Sequence, residues 1–204
     1  MAKRLMDLLI VIDVEATCWD GPPPEGQVSE IIEIGVATLD VSTGERVAGE
    51  GIMVRPTRSS VSPFCTELTT LTQADVDAGL PFDKACALLR SRHLTLQRPW
   101  ASWGDYDRLQ FERQCVAEKV RYPFGTRHLS AKTLYSLAHG LDRELGMAGA
   151  LEHAGLPLHG THHRGVDDAW NIAALLGGVL RASRRGRPGT GPQTPEARPV
   201  ADAR

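Results

Sequence analysis

The first apolar run of the chain, Leu8-Leu9-Ile10-Val11-Ile12, has no polar position and is rich in β-branched residues. Such a run reads as a central strand buried on both faces. Two more strand-like runs, residues 31–39 and 47–54, flank Ser42-Thr43-Gly44-Glu45 and read as a hairpin, which Pro56 ends. Residues 21–28 are breaker-rich and form a loop. Helical spacing follows over 73–78 and 83–92, then a short strand over 99–103. Four helices complete the pattern, over 106–118, 131–139, 147–154 and 166–184, with Ser130 as an N-cap and Gly140 just past one C-terminus. From Gly186 onward, Arg-Pro-Gly-Thr-Gly-Pro-Gln-Thr-Pro carries no apolar anchor, so residues 185–204 are expected to be a disordered tail. The pattern is one α/β domain, residues 1–184, plus that tail.

Composition narrows this little. At 204 residues, 42% hydrophobic and 24% charged, the chain has the make-up of one globular domain. No stretch reaches the ~18–20 apolar residues of a membrane helix. The basic start Lys3-Arg4 leads into acids without a small-residue cleavage site, which is a poor signal peptide. Cys18, Cys65, Cys86 and Cys115 lie far apart with no paired spacing, so a disulfide scaffold is not indicated and a cytoplasmic setting is expected. Charge is uneven: residues 181–204 hold six arginines and two acids, leaving 17 basic and 23 acidic residues in the other 180. An acidic body argues against a broad, non-specific coat on DNA. The arginines at 181, 184, 185 and 187 read as the solvated end of a helix, with contact to phosphates or a partner as the alternative.

Candidate chemistry begins at Asp13-Val14-Glu15. Residues two apart on a strand share a face, so both carboxylates leave the end of a buried strand together. Either the strand has emerged and both are solvated, or a divalent cation offsets their desolvation and mutual repulsion. At the far end, Asp168 lies four residues before Ile172 and shares that helix's packed face, whereas Asp167 falls in line with Asn171 and Gly178. His163, five residues before Asp168, would stand about 140° off that face on a continuous helix. It converges with Asp168 only from a loop ahead of the helix, which Gly165 permits; otherwise His162-His163 is a solvated pair. In the middle, Asp107, Phe111 and Cys115 follow an i, i+4, i+8 pattern that puts Asp107 on an inner face, with Asp105 a candidate N-cap. The histidines at 153, 159, 162 and 163 have no thiol or familiar ligand spacing beside them, so a zinc site is not expected.

Five motifs occur in order over residues 8–182. They are Ile12-Asp13-Val14-Glu15-Ala16-Thr17-Cys18; Glu30-Ile31-Ile32-Glu33-Ile34-Gly35; Phe64-Cys65 with Leu68-Thr69; Ser102-Trp103-Gly104 with Asp107; and His163-Arg164-Gly165 with Asp168 and Asn171-Ile172-Ala173. Together they resemble the DEDDh-type 3′→5′ exonucleases, in particular the branch of the Eri-type and histone-mRNA 3′-end exoribonucleases and the bacterial sporulation-inhibitor-like enzymes. The resemblance implies a ribonuclease-H-like α/β fold of three layers, with a mixed, mostly five-stranded sheet flanked by helices. It implies that Asp13, Glu15, Asp107 and Asp168 hold two divalent cations, Mg²⁺ or Mn²⁺, and that His163 is the general base. By the same resemblance the substrate is a single-stranded 3′ end, RNA favoured over DNA, shortened by release of nucleoside 5′-monophosphates. Ala16, Thr17, Trp19, Leu68 and Thr69 would lie near its terminal nucleotide. The family often has glycine where this chain has Thr70, and a β-branched residue resists positive φ, so that loop is expected to differ. The alternatives are a DNA-directed exonuclease and a non-catalytic nucleic-acid-binding regulator on the same fold.

Overall fold

A computed structural model describes residues 5–185; the expected tail beyond them lies outside the described residues. Five strands form one sheet: β1 (Leu8–Ala16), β2 (Ile31–Asp40), β3 (Arg46–Met53), β4 (Trp100–Ser102) and β5 (His128–Ser130). Their spatial order is β3-β2-β1-β4-β5, with β1 central as its unbroken apolar run requires. β1 pairs antiparallel with β2 and parallel with β4, and β5 runs parallel to β4, so the sheet is mixed.

Alternation along β1 divides the core in two. Ile10, Ile12 and Val14 point to a layer that includes α3 (Phe82–Arg92) and α4 (Tyr106–Glu118), packed through Phe82, Leu89, Phe111 and Cys115. Leu9 and Val11 point to the opposite layer of α5 (Ala131–Ala138), α6 (Met147–Ala154) and α7 (Gly165–Arg185), packed through Tyr135, Leu151, Ile172 and Leu176. Asp13 and Glu15 continue the Leu9–Val11 row and so emerge beneath α7.

Two short elements escape the hydrophobic pattern. α1 (Pro63–Thr69) buries only Cys65 and Thr69, too few for a visible period, although the Ser62 N-cap and Pro63 are a start signal. β5 is three residues long with no apolar run. α2 (Gln73–Asp77) completes the set, closed by a Thr72–Asp75 capping box. Three local expectations are corrected. Asp105 makes no capping hydrogen bond; its carboxylate pairs with Arg108 at 3.2 Å. Thr70 takes φ 64° despite its branched side chain, because its N–H closes α1 onto the Thr66 carbonyl. Arg181 and Arg184 are not simply solvated: they reach back to the carbonyls of Gly44 and Val41 in the β2–β3 turn. No described helix is long and apolar enough to cross a membrane.

Candidate active site

The site lies where β1 ends. Asp13 and Glu15 share one face of that strand, as their spacing requires, and Glu15 is buried. Opposite Asp13 in the β1–β2 register stands Gly35, and opposite Glu15 stands Glu33. A Cβ on Gly35 would fall 1.7 Å from the carbonyl oxygen of Gly165, so only glycine lets α7 rest its first turn on the sheet here. That approach carries Asp168, one turn into α7, down to the two strand acids. Carboxylate oxygens of Asp13, Glu15 and Asp168 lie within 4.8 Å of one another.

Asp107 arrives from the other layer. It is buried in the first turn of α4, and its Oδ1 accepts the Val14 backbone N–H at 2.9 Å, between the two strand acids. That bond fixes α4 to the strand end, and Asp107, Phe111 and Cys115 are all buried on the inner face as the helical period required.

The fifth residue comes from the loop before α7. Glu33, wholly buried, accepts Arg164 Nε at 3.1 Å, Arg164 Nη2 at 3.3 Å and the Gly165 N–H at 2.9 Å. This clamp binds the loop to the sheet. His163 sits ahead of the helix with φ 65°, and its N–H donates to Asp168 Oδ2 at 3.0 Å. His162 stacks on it with ring centroids 4.0 Å apart, and His162 Nδ1 lies 3.0 Å from Asp168 Oδ2.

Electrostatics raise the proton affinity of all four carboxylates. Burial, then repulsion from Asp107, Glu15, Asp168 and Glu33, pushes the Asp13 carboxyl well above its ordinary range. Burial and the neighbouring acids push Glu15 up to about 8, with Arg164 opposing. Burial raises Asp107 to about 6, moderated by the Val14 hydrogen bond, and raises Asp168 against the pull of His162. His163 is lowered by burial and by His162, which keeps its imidazole neutral near neutral pH. A compact set of carboxylate oxygens with elevated proton affinity fits a hard divalent cation, which takes oxygen ligands and relieves the repulsion.

These groups line a cleft of about 330 Å³ with Ala16, Cys18, Leu68, Trp103, Tyr106 and Met147. Of the expected substrate contacts, Ala16 and Leu68 are there. Thr17 and Thr69 are turned inward: Thr17 Oγ1 accepts the Glu30 N–H and Thr69 Oγ1 donates to the Cys65 carbonyl. Neither they nor Trp19 line this cleft. Trp103, Tyr106, Met147 and His162 are lining residues that sequence reasoning did not assign, as are Val14 and Cys18. For the first two a signal existed, since both aromatics flank Asp107 within one motif.

A mixed five-stranded sheet with helices on both faces and four carboxylates converging at the end of its central strand defines a nuclease of the ribonuclease-H-like class. The chain belongs to the exonuclease family, whose model matches residues 10–176, and within it to the DEDDh 3′→5′ exonucleases. It is similar to the 3′-5′ exonuclease Snipper of Drosophila melanogaster, 30% identical, covering 89% of this chain and 72% of that protein. It is similar to human ERI1 exoribonuclease 2 at 32% identity over 88% of this chain, of which it spans only 29%. Among solved structures, the nuclease domain of 3′hExo, described as a DEDDh family member bound to rAMP, superposes with a TM-score of 0.76. It is 30% identical, and the match covers 91% of this chain and 96% of that one. Enzymes of this family act on nucleic-acid 3′ ends and as a rule depend on divalent metal.

Proposed function

We propose that this chain shortens single-stranded RNA from its 3′ end, releasing nucleoside 5′-monophosphates, with two divalent cations, Mg²⁺ or Mn²⁺, held by Asp13, Glu15, Asp107 and Asp168. The observation that carries this reading is the convergence of four carboxylates and a histidine in one cleft. When bound, such a pair of ions supplies nucleophile activation and charge stabilisation on the attacking and leaving oxygens. The remaining roles fall to side chains of the cleft. His163, held by the Glu33–Arg164 clamp and lowered in basicity, accepts the proton of the attacking water; general bases contribute typically ~10²–10⁴-fold. Leu68, Trp103 and Tyr106 form apolar and aromatic walls that receive an unstacked terminal nucleotide. The similarity to human ERI1 exoribonuclease 2, and to human 3′-5′ exoribonuclease 1 at 31% identity, favours RNA over DNA. A cytoplasmic setting belongs to the same reading, since four free thiols suit a reducing compartment.

The test uses 5′-labelled single-stranded RNA and DNA of matched sequence, with Mg²⁺, Mn²⁺ or EDTA. The reading expects a metal-dependent ladder shortening from the 3′ end, faster on RNA. A faster DNA ladder would establish the DNA-directed alternative. Intact substrates in every lane, with metal bound and the protein folded, would establish the binding regulator.

A further inference from the structure

The stacked pair His162–His163 does not fit the all-oxygen character of the rest of the site. Neighbouring side chains on an extended backbone point to opposite sides. Here φ 65° at His163 turns the chain so that both imidazoles lie on the same side, 4.0 Å apart and 23° from parallel. One nitrogen of each ring and an oxygen of Asp168 lie within 4.8 Å of one another. The group is supported from behind: Glu33 clamps Arg164 and Gly165, the Thr161 N–H donates to Asp167 Oδ2 at 2.8 Å, and the His159 backbone is paired with Asn171. It is also open to solvent on one side, since the His162 side chain is 39% exposed while Asp168 is 7% exposed.

We propose that His162, His163 and Asp168 form a second metal site, which takes a divalent ion of the zinc class and, when filled, shuts off the Mg²⁺-dependent reaction. Two imidazoles and one carboxylate with an open fourth position are a zinc ligand set. Nitrogen ligands favour the late first-row ions, whereas Mg²⁺ prefers oxygen and near-octahedral geometry. Ligands of tetrahedral zinc stand about 3.3 Å apart, so small side-chain rotations complete the set. The two sites cannot serve at once, because the zinc-class ion engages both Asp168, a ligand of the proposed catalytic ions, and His163, the proposed base. The inhibitory half of this inference rests on the proposed function; the binding half does not.

The experiment titrates the full chain with Zn²⁺ by calorimetry, with excess Mg²⁺ present, and with Co²⁺ by visible absorption. One Zn²⁺ per chain is expected, persisting against Mg²⁺, with the intense Co²⁺ bands of a low-coordinate nitrogen-ligated ion. His162→Phe, and His162→Gln, which keeps a hydrogen-bonding group beside Asp168, each remove a direct ligand and are expected to weaken Zn²⁺ binding by about 100-fold or more, beyond the ~10–100-fold cost of losing an outer-shell partner. Cys18→Ser is expected to bind as wild type, which separates this site from the thiol in the cleft. In the exonuclease assay, each variant is compared with its own uninhibited rate, and the half-inhibitory Zn²⁺ concentration should rise by the same factor in His162→Gln. Unchanged Zn²⁺ affinity in both His162 variants, loss of binding in Cys18→Ser, or displacement of Zn²⁺ by equimolar Mg²⁺ would each overturn the site. Zn²⁺ binding as described in a chain that degrades neither RNA nor DNA would keep the site and overturn the proposed function instead.

Discussion

The two walls of the cleft are built by different means. On one side, Asp13, Glu15 and Asp107 are fixed by regular structure: a central strand paired on both edges, and a helix whose first turn is bonded to the strand through Val14. On the other side, Asp168 stands in the first turn of α7 and His163 in the loop before it, whose course is set by one buried carboxylate, Glu33, and one contact between glycines, Gly35 and Gly165. The first wall follows from hydrogen-bond ladders that any sheet must satisfy. In the second, Asp168 rides on α7, whose Ile172 and Leu176 pack into the core. His163, by contrast, has no ladder and is held by a few long-range contacts, so the loop is where position can be tuned, and where it can be lost without unfolding the sheet.

The sharpest contrast is between Asp13→Ala and His163→Ala. Asp13→Ala removes the carboxylate shared by the strand wall and is expected to lower kcat by ~10⁴-fold or more together with metal affinity, since ions stabilise the transition state by several kcal/mol. His163→Ala should lower kcat by ~10²–10³-fold while metal affinity, read by calorimetry, stays near wild type. Near-wild-type turnover in Asp13→Ala would break the comparison at its strongest point.

Gly35→Ala probes the contact beneath α7. Its Cβ would collide with the Gly165 carbonyl, so α7 must lift. A loss of about 3 kcal/mol or more in urea unfolding is expected, with activity falling further than the unfolded fraction explains. Activity tracking only the folded fraction would show that the loop wall tolerates displacement.

A smaller effect is expected from pH. The Glu15 carboxyl rises from its ordinary 4.5 to about 8 in the metal-free fold. A raised carboxyl contributes stability that is fully present below its unfolded value and is lost as pH rises through its folded one. Metal-free protein should therefore lose stability between about pH 4.5 and about pH 8, and Mg²⁺ should raise Tm more at the upper end. An equal Tm rise at both ends would mean the acids are not where the ion binds.

The smallest effect belongs to Thr70→Gly. A non-glycine residue at positive φ costs roughly 1–2 kcal/mol, offset in part by the chain entropy of glycine. A stabilisation of about 0.5–1 kcal/mol in urea unfolding is expected; a destabilisation would mean that the Thr70 side chain has a role of its own.

The same division governs what could be read from the sequence. Asp13 and Glu15 were legible because strand period alone puts them on one face. Asp107 and Asp168 were legible because helical period aligns them with Phe111 and Ile172. Nearly every strand and helix with a clear apolar run followed in the same way. α1 and β5 bury too few side chains to show a period, and β5 exists only by pairing with β4. His163 could be placed in a loop, but the turn that stacks it on His162 depends on φ 65° and on Glu33, 130 residues away in the chain. The hydroxyl directions of Thr17 and Thr69 were illegible for a related reason: motif position does not tell whether a hydroxyl faces the cleft or bonds a neighbouring backbone group.

The central claim is that the four carboxylates form one divalent-ion centre, and electron paramagnetic resonance of Mn²⁺ tests it most directly. Titrated into the protein with a nucleoside 5′-monophosphate present, Mn²⁺ should bind as two spin-coupled ions ~3.5–4 Å apart, and Asp13→Ala should abolish the coupled signal. Two uncoupled ions, or a coupled signal that survives Asp13→Ala, would contradict it.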